Sequence, residues 1–360
     1  MRTRRTFARA SAWATRERSE PSAERHRTSE VARSPIVRLE RTGSDLHIHS
    51  RSHDIATALS VTERTSESLS LRPIARIREL YTYREILLNL VRKELKVKYT
   101  ASVLGAIWSV LNPIVFLAVF TFVVKILGNS TPHYPVFLLS GLLAWNLFSV
   151  AVGNGTRCVI DNGNLVKKVA FPREILPLSV VGVVLVDFVL QSAVLFLFMI
   201  VSGYGFHVEA LVLYPLSFLT LVVFTTALTF WVSALNVRYR DVQHLIGLAL
   251  LVWFWMTPIV YPAGIVQDKL IATTAPWSPH LWTVYLLNPL TPIVSGFQRA
   301  LYATVSYIPS GRTVPTNVLP DVSIAWMVGV VAAVLAASSA LLLYTWRLFF
   351  RLSGDFAEEL

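Results

Sequence analysis

The chain has 360 residues, of which 54% are hydrophobic and only 15% are charged, and its mean hydropathy is +0.53. A soluble domain of this size carries about 25% charged residues, so the composition argues against a soluble enzyme and indicates a membrane protein. The net charge of +11 raises the possibility of nucleic acid as a partner. The basic residues flank apolar segments, however, which indicates anionic lipid and membrane topology instead.

Residues 1–72 are rich in Arg and Ser, poor in aromatic residues and free of Lys. Such a segment buries too little apolar surface to fold, and we predict that it is disordered. It could tether the chain to anionic lipid, or it could be translated DNA upstream of the true start codon. We assign it no function.

Residues 73–100 are predicted to form an amphipathic helix at the cytoplasmic face of the membrane. Between Tyr81 and Tyr99, apolar residues gather on one side and basic residues on the other when they are placed about 100° apart. This pattern suits the boundary between headgroups and acyl chains. The alternative is a solvated helix that docks on the protein's own core.

The remainder, residues 101–360, is predicted to be the transmembrane domain. A hydrocarbon core of about 30 Å requires about 20 apolar residues in a helix. The candidate spans are 104–124, 135–152, 175–201, 211–235, 245–261 and 322–346. Residues 281–307 are also apolar, but two prolines, a glycine and an arginine interrupt them, which favours re-entrant helices. The sequence therefore predicts an all-α integral membrane protein with about six spans, an interface helix first and re-entrant helices before the last span.

The distribution of Lys and Arg predicts the orientation of these spans. With the N-terminus in the cytoplasm, most of the basic residues that follow the first span lie in internal loops, and few lie in the longer external segments. We therefore expect a multi-pass protein with both termini in the cytoplasm.

Two of the internal loops place basic residues and an acid beside the start of a helix. They contain Lys167, Lys168, Phe171, Pro172, Arg173 and Glu174 in NLVKKVAFPREILPLS at 164–179, and Arg238, Arg240 and Asp241 in NVRYRDVQHL at 236–245. Topology alone explains the basic residues. It does not explain Pro172 followed by Arg-Glu, a pattern typical of the first turn of a short helix. We therefore expect these loops to receive mechanical work from another protein.

The sequence contains no motif of an enzyme that binds nucleotide or metal. Phosphate-binding loops, zinc-protease motifs and nucleophile elbows do not occur. The single cysteine, Cys158, has no metal-ligating neighbours in the sequence and allows no intrachain disulfide. We therefore expect no catalytic residue, metal or cofactor in this chain, and no ATP hydrolysis by the chain itself.

One acidic residue, Asp187, lies near the middle of the predicted span 175–201, and Gln191 follows one turn later on the same face. A carboxylate at the bilayer centre costs at least about 2.5 kcal/mol, so it should face the bundle interior or water. It could act as a relay for protons or cations, or as a polar contact on an export route. A hydrogen bond between packed helices is favoured, because the predicted spans supply no second acidic or histidine residue.

Tryptophan and tyrosine residues are frequent at the ends of the predicted spans, as is typical of interfacial aromatic belts. Trp253, Phe254 and Trp255 are adjacent, so at least one of them must point away from lipid. Aromatic faces pack well on the apolar faces of sugar rings, and a polysaccharide route lined in this way is physically sensible.

From about residue 81 to the C-terminus, the chain resembles the membrane subunits of ABC exporters for polysaccharides, the ABC-2 permeases of the O-antigen, teichoic-acid and capsule type. The resemblance rests on the order and spacing of several segments. These include YREILLNLVRKELKVKYTASVLGAIWSVLNP, YPVFLLSGLLAWNLFS, the two loops quoted above, WFWMTPIVYP and LNPLTPIVSGFQRALY. The closing GDFAEEL is similar to actinobacterial versions, where a related exporter moves lipid-linked galactan.

The resemblance implies a homodimer of permeases in the bacterial plasma membrane, joined to two ATPase subunits that hold ATP and magnesium. It implies that residues 164–174 and 238–241 couple to the ATPase. It also implies an aromatic channel for a lipid-linked polysaccharide, drawing on Trp145, Trp253, Trp255 and Tyr261, with no nucleic acid as partner. Two alternatives stay open: an ABC-2 permease for a drug or another small amphiphile, and an ion-driven lipid-diphosphate flippase.

Overall fold

The computed structural model describes residues 73–100, 105, 107–126, 131–205, 208–266, 285–302, 306–308, 316–320 and 322–360. The described residues all belong to the unit Leu69–Leu360. The predicted disorder of residues 1–72 lies outside the described residues, as do residues 104 and 106 of the span predicted at 104–124.

The described part of the chain is almost entirely α-helical, which confirms the predicted all-α class. The helices are α1 (Pro73–Thr82), α2 (Arg84–Thr100), α3 (Ile107–Ile126), α4 (Tyr134–Asp161), α5 (Gly163–Lys168), α6 (Ile175–Val201), α7 (Leu213–Arg238), α8 (Val242–Met256), α9 (Leu290–Leu301), α10 (Ile324–Ser353) and α11 (Phe356–Glu359). A 3-10 turn occupies Val208–Ala210, and single helical turns occupy 263–266 and 285–287. Two strands of two residues each, β1 (Ser306–Tyr307) and β2 (Thr316–Asn317), pair in antiparallel fashion.

Five of the described helices, α3, α4, α6, α7 and α10, are long and apolar enough to cross a membrane. The sixth predicted segment, 245–261, coincides with α8, which has only 15 residues. At 1.5 Å per residue α8 is about 22 Å long, short of the hydrocarbon core of about 30 Å. It stops at Met256 because the residue before a proline avoids the helical region. Thr257, which precedes Pro258, is accordingly extended.

Helix α9 lies within the segment 281–307 that was predicted to be re-entrant; residues 281–284 and 303–305 lie outside the described residues. Twelve residues span only about 18 Å, and every residue of α9 except Arg299 is buried. A re-entrant helix requires backbone that is shielded from lipid in this way. Gly296 permits close packing against α7, since a Cβ at this position would lie 2.1 Å from Ser217 Oγ.

The core of the molecule is formed around α4 and α7, which pack against each other and enclose α9. Helix α3 lies at the periphery and exposes much of its apolar surface. Gly155 of α4 allows the central pair to approach, because a Cβ there would lie 2.3 Å from Thr229 Cγ2 of α7.

The predicted interface helix over 73–100 is divided into α1 and α2 near Tyr83. Helix α2 packs along the first half of α6. A Cβ at Gly182 of α6 would lie 2.9 Å from Val91 Cγ2, so the two helices are in close contact there. Leu90 is buried while Lys93 and Lys96 are exposed. Part of the apolar side of α2 therefore docks on the protein's own core, as in the alternative raised above.

Candidate functional site

The first predicted coupling loop forms a short helix with one buried and one exposed side. In α5, Val166 is buried in an apolar cluster, whereas Lys167 and Lys168 are exposed in its last turn. The break between α4 and α5 falls at Asn162, whose amide donates a hydrogen bond to the Cys158 carbonyl oxygen at 2.9 Å. The loop therefore presents two exposed cations on a short helix whose other side packs on the apolar cluster.

Residues 169–174 connect α5 to α6 and contact the C-terminal end of the chain. Phe171 packs against the same apolar cluster, and Pro172 is buried. Arg173 is half-buried and donates a hydrogen bond to the Gly354 carbonyl oxygen at 3.4 Å. Burial lowers the pKa of Arg173, although the charges of Glu174 and Asp355 oppose the shift. Arg173 is therefore held against the end of α10.

Glu174 lies beside Arg173 in the sequence but points inward. Its side chain is 0% exposed and accepts hydrogen bonds from Arg76 Nε at 2.9 Å and from Arg76 Nη2 at 3.2 Å. Arg76 also contacts Glu79 at 2.5 Å and lies over the Phe350 ring at 4.6 Å. Burial alone would lower the pKa of Arg76, but the hydrogen bonds and charges of Glu174 and Glu79 raise it, so the guanidinium stays charged.

The second predicted coupling loop joins α7 to α8. Arg238, Arg240 and Asp241 are all exposed. The turn is stabilised from within, because the buried Asn236 side chain accepts a hydrogen bond from the Gln243 backbone N–H at 3.2 Å. The exposed charges therefore stand on an ordered turn.

The two predicted coupling loops pack on the same apolar cluster. A single apolar cluster contains Val166 beneath the first loop and Val237 at the second, together with Phe349 and Phe356 from the C-terminal end. The Phe349 and Phe356 rings lie edge-to-face at 5.4 Å. We call α5, residues 169–174, residues 238–241 and α11 the loop platform. Sequence analysis missed Phe356 as part of the loop platform and Arg76 of α1 as its contact through Glu174; the apolar Phe356 among polar neighbours was the available signal for the first.

Asp187 lies at the centre of a second group of polar contacts. It is 5% exposed and accepts hydrogen bonds from Lys98 Nζ at 2.6 Å, Tyr99 OH at 2.5 Å and Ser109 Oγ at 3.0 Å. Burial and the hydrogen bond to Asp187 raise the pKa of the Tyr99 phenol, so the phenol remains a donor. The carboxylate is thus held by α2 and α3 together.

Gln191 extends these contacts to α4. Its carbonyl accepts a hydrogen bond from Asn146 Nδ2 at 3.1 Å, and its amide donates to the Ser109 carbonyl oxygen at 3.2 Å. We call Lys98, Tyr99, Ser109, Asn146, Asp187 and Gln191 the mid-span polar cluster. Hydrogen bonds between packed helices, the favoured interpretation of Asp187 and Gln191, are present for both residues.

The four predicted channel aromatics, Trp145, Trp253, Trp255 and Tyr261, differ in burial. Trp145 is buried in the core between the Phe148 ring at 5.7 Å and the Phe254 ring at 5.3 Å. Trp253 is half-buried and donates to Asn288 Oδ1 at 2.7 Å.

Trp255 is exposed, and the Tyr261 hydroxyl donates to its carbonyl oxygen at 2.9 Å. Two rings of α3 that sequence analysis missed join this group, since Phe116 and Phe120 each lie 6.5 Å from the Phe254 ring. Their spacing of four residues, which places them on one helix face, was the available signal.

Comparison with known proteins gives a consistent result. The family model for ABC-2 type transporters matches residues 86–302. The O-antigen export system permease protein RfbA of Myxococcus xanthus is 36% identical over 232 residues, which cover 63% of this chain and 84% of that protein. Two proteins of the same name from Klebsiella pneumoniae are 32% and 31% identical over 186 residues, which cover 51% of this chain and 72% of theirs.

Proposed function

This chain belongs to the ABC-2 type transporter family, and from that membership we propose that it is the membrane subunit of an ATP-driven exporter of a lipid-linked cell-envelope polysaccharide. The observation that carries the proposal is the loop platform, which presents exposed charges on two short ordered loops above one apolar cluster. The chain has no phosphate-binding loop of its own. Exposed charges on ordered loops of this kind suit the binding of a partner protein that supplies the mechanical work.

In the proposed mechanism, a separate ATPase subunit binds the exposed side chains of α5 and of residues 238–241. Closure of the ATPase on bound ATP and magnesium moves these loops. Because residues 169–174 lead directly into α6 and Glu174 holds Arg76, the movement also reaches α1 and α2. The chain contributes no catalytic group, and its task is to convert this displacement into an open route.

A second copy of the chain is the proposed partner within the membrane. Helices α3 and α8 expose apolar side chains and are joined by aromatic contacts, including Phe120 with Trp255 at 6.5 Å. The exposed side chains include Val115, Val119 and Phe122 on α3, and Leu248, Leu251 and Trp255 on α8. A homodimer formed along this face would bring aromatic rings to a route between two permeases, and the remaining apolar surface would contact membrane lipid.

The proposed cargo follows from the relatives, which are named as O-antigen export permeases. Within this class, the closing GDFAEEL favours an actinobacterial galactan and hence a role in cell-wall biogenesis. The proposed location is the bacterial plasma membrane with both termini in the cytoplasm, since Lys167, Lys168, Arg238 and Arg240 then lie inside.

The decisive experiment is reconstitution of the chain in vesicles with and without an ATPase purified from the same native membranes. We expect translocation of lipid-linked glycan only when both subunits and ATP are present. Reversing Lys167 and Lys168 together to Glu should lower export at least about 10-fold, because the introduced carboxylates would be repelled by the acidic surface that the two lysines bind.

Lys125→Glu is the matched control, since Lys125 is exposed at the far end of α3 and should leave export unchanged. Glycan translocation by the permease alone would overturn the proposal. Movement of a small amphiphile without glycan would favour the drug permease. Translocation driven by an ion gradient without ATP would favour the flippase.

A further inference from the structure

A polar cavity of about 170 Å³ lies between α3, α4 and α6. Its polar lining comes from Lys98, Ser109, Asn112, Asn146, Asp187 and Gln191. A single water needs only about 10–15 Å³ of such space, so the cavity has room for a polar group much larger than one water. Trp108 of α3 lies at its edge and is 52% exposed, which leaves an indole face at the opening.

The cavity lies near the middle of α4 and α6 and beside the first two turns of α3. Asp187 is the thirteenth of the 27 residues of α6, and Asn146 is the thirteenth of the 28 residues of α4. Each is therefore about 18 Å from the first residue of its helix. Polar and ionisable groups at such a depth are costly and typically mark the path of a polar substrate.

The lining of the cavity leaves several polar atoms available to an occupant. The side-chain polar atoms of Asp187 and Gln191 are already used in the hydrogen bonds described above. By contrast, the Asn112 side chain makes no hydrogen bond within the described part of the chain, and only the amide N–H of Asn146 is used. Lys98 has two further N–H donors beside the one that it gives to Asp187. Both donors and acceptors therefore remain.

The charge of the cavity selects among possible occupants. The Lys98 ammonium and the Asp187 carboxylate lie 2.6 Å apart, so their charges largely cancel for a third group. A phosphate attracted by Lys98 would be repelled by Asp187. A cation attracted by Asp187 would be repelled by Lys98. A neutral polyol can use the remaining donors and acceptors without this penalty. Its apolar ring face can also pack on Trp108.

We propose that this cavity is a binding subsite for a neutral sugar unit of the exported glycan. The inference rests on the proposed function and adds the place at which the chain contacts its cargo. Asn112 and Asn146 bind the sugar hydroxyls, Lys98 donates a further hydrogen bond, and Trp108 packs against the ring. The ion pair with Asp187 keeps Lys98 from attracting the diphosphate of the lipid carrier instead.

Photo-crosslinking in glycan-producing cells tests the contact directly. A photoreactive phenylalanine analogue is placed at Asn112 in the full exporter, and at Asn154 as the matched control. Asn154 is also exposed, but it does not line the cavity. After irradiation, mild acid cleaves the bond between lipid diphosphate and glycan. We expect a glycan-bearing adduct at position 112 and none at position 154.

Each other outcome has a defined meaning. An adduct at position 112 that keeps lipid phosphate but no glycan would overturn the sugar assignment in favour of the carrier headgroup. If surface glycan depends on this chain but no adduct forms at position 112, the inference fails while the proposed function stands. If surface glycan does not depend on this chain at all, the proposed function itself fails.

A substitution series gives an independent measurement. Asn112→Leu removes the amide without breaking any hydrogen bond within the described structure, so folding should be preserved. We expect a decrease of at least about 5-fold in glycan export, with Asn154→Leu unchanged and Asn112→Gln retaining most of the activity. Equal export by Asn112→Leu and the unchanged protein would contradict the subsite.

Discussion

Two buried acids, Glu174 just before α6 and Asp187 within it, have different surroundings. Glu174 immediately precedes the helix and is fully enclosed, with Arg76 as a bidentate partner. Asp187 lies near the middle of the helix beside a cavity, and its partner Lys98 keeps 38% of its side chain exposed. Arg76 belongs to α1 and Lys98 to α2, so α1 contacts the start of α6 and α2 contacts its middle.

The difference indicates that the two contacts with α6 have different roles. The enclosed pair at Glu174 joins the loop platform to α1. The more open pair at Asp187 joins α2 to α6 and leaves polar atoms facing a cavity. We infer that the first contact transmits movement, whereas the second positions Lys98 and stabilises the surroundings of the cavity.

The largest expected effect comes from breaking the enclosed pair. Arg76→Ala leaves the Glu174 carboxylate buried without its partner, which should lower the free energy of unfolding by about 3–5 kcal/mol. Thermal unfolding of the purified protein in detergent measures this loss. Lys93→Ala, which removes an exposed cation from α2, should have almost no effect.

A double substitution separates stability from coupling. Arg76→Met with Glu174→Leu replaces the pair by apolar side chains and should recover most of the lost stability. We expect an exporter assembled from this variant and its ATPase partner to hydrolyse ATP but to show reduced glycan export, because the polar connection between the loop platform and α1 is absent. Export at the unsubstituted rate would show that this ion pair does not transmit movement.

A smaller effect is expected at the open pair. Asp187→Asn should lower the free energy of unfolding by about 1–2 kcal/mol, since Lys98 is more than one third exposed and its charge can still reach water. If Asp187 does not relay protons, export by Asp187→Asn should keep its dependence on ATP and show no new dependence on a pH gradient. Arg173→Glu, on the loop platform, should impair export more strongly.

Vesicle transport under imposed pH gradients distinguishes these outcomes. Abolished transport in Asp187→Asn, combined with normal transport in Arg173→Glu, would reverse the proposed division between the two acids. It would instead favour a gradient-driven carrier.

The smallest effect is expected midway between the two acids. Gly182→Ala places a Cβ 2.9 Å from Val91 Cγ2, so α2 must shift slightly, at a cost of about 1 kcal/mol. Thermal unfolding should show this decrease, while Gly247→Ala, where no atom lies within 4 Å of the added Cβ, should show none or a slight gain. An equal decrease in both variants would mean that the contact between α2 and α6 has little energetic importance.

Much of the fold could be predicted because its signals are local. Apolar runs and basic flanks indicated the spans, and the prolines of 281–307 indicated short buried helices. Hydropathy alone did not predict where α8 ends, although Pro258 was a local signal for that end. Its neighbour Thr257 is extended, and that conformation ends the helix before it reaches the length of a span.

The candidate site was predicted only in part. Asp187 and Gln191 stood out because polar residues are rare in such a segment, but Lys98 and Asp187 are separated by 89 positions and nothing local links them. Glu174 was grouped with the exposed residues around it, whereas folding turns it towards Arg76. The resemblance implied a channel role for Trp145, which stays a prediction, and its contacts with the Phe148 and Phe254 rings could not be predicted from the sequence.

The amino-acid sequence by itself determined that this chain is a helical membrane protein with two short charged loops, since hydropathy and turn residues act over a few positions. Only the tertiary structure decided which charges meet. A buried carboxylate is stabilised by whichever donors the packing of distant helices brings within about 3 Å. That arrangement distinguishes the enclosed contact at Glu174 from the open cavity beside Asp187.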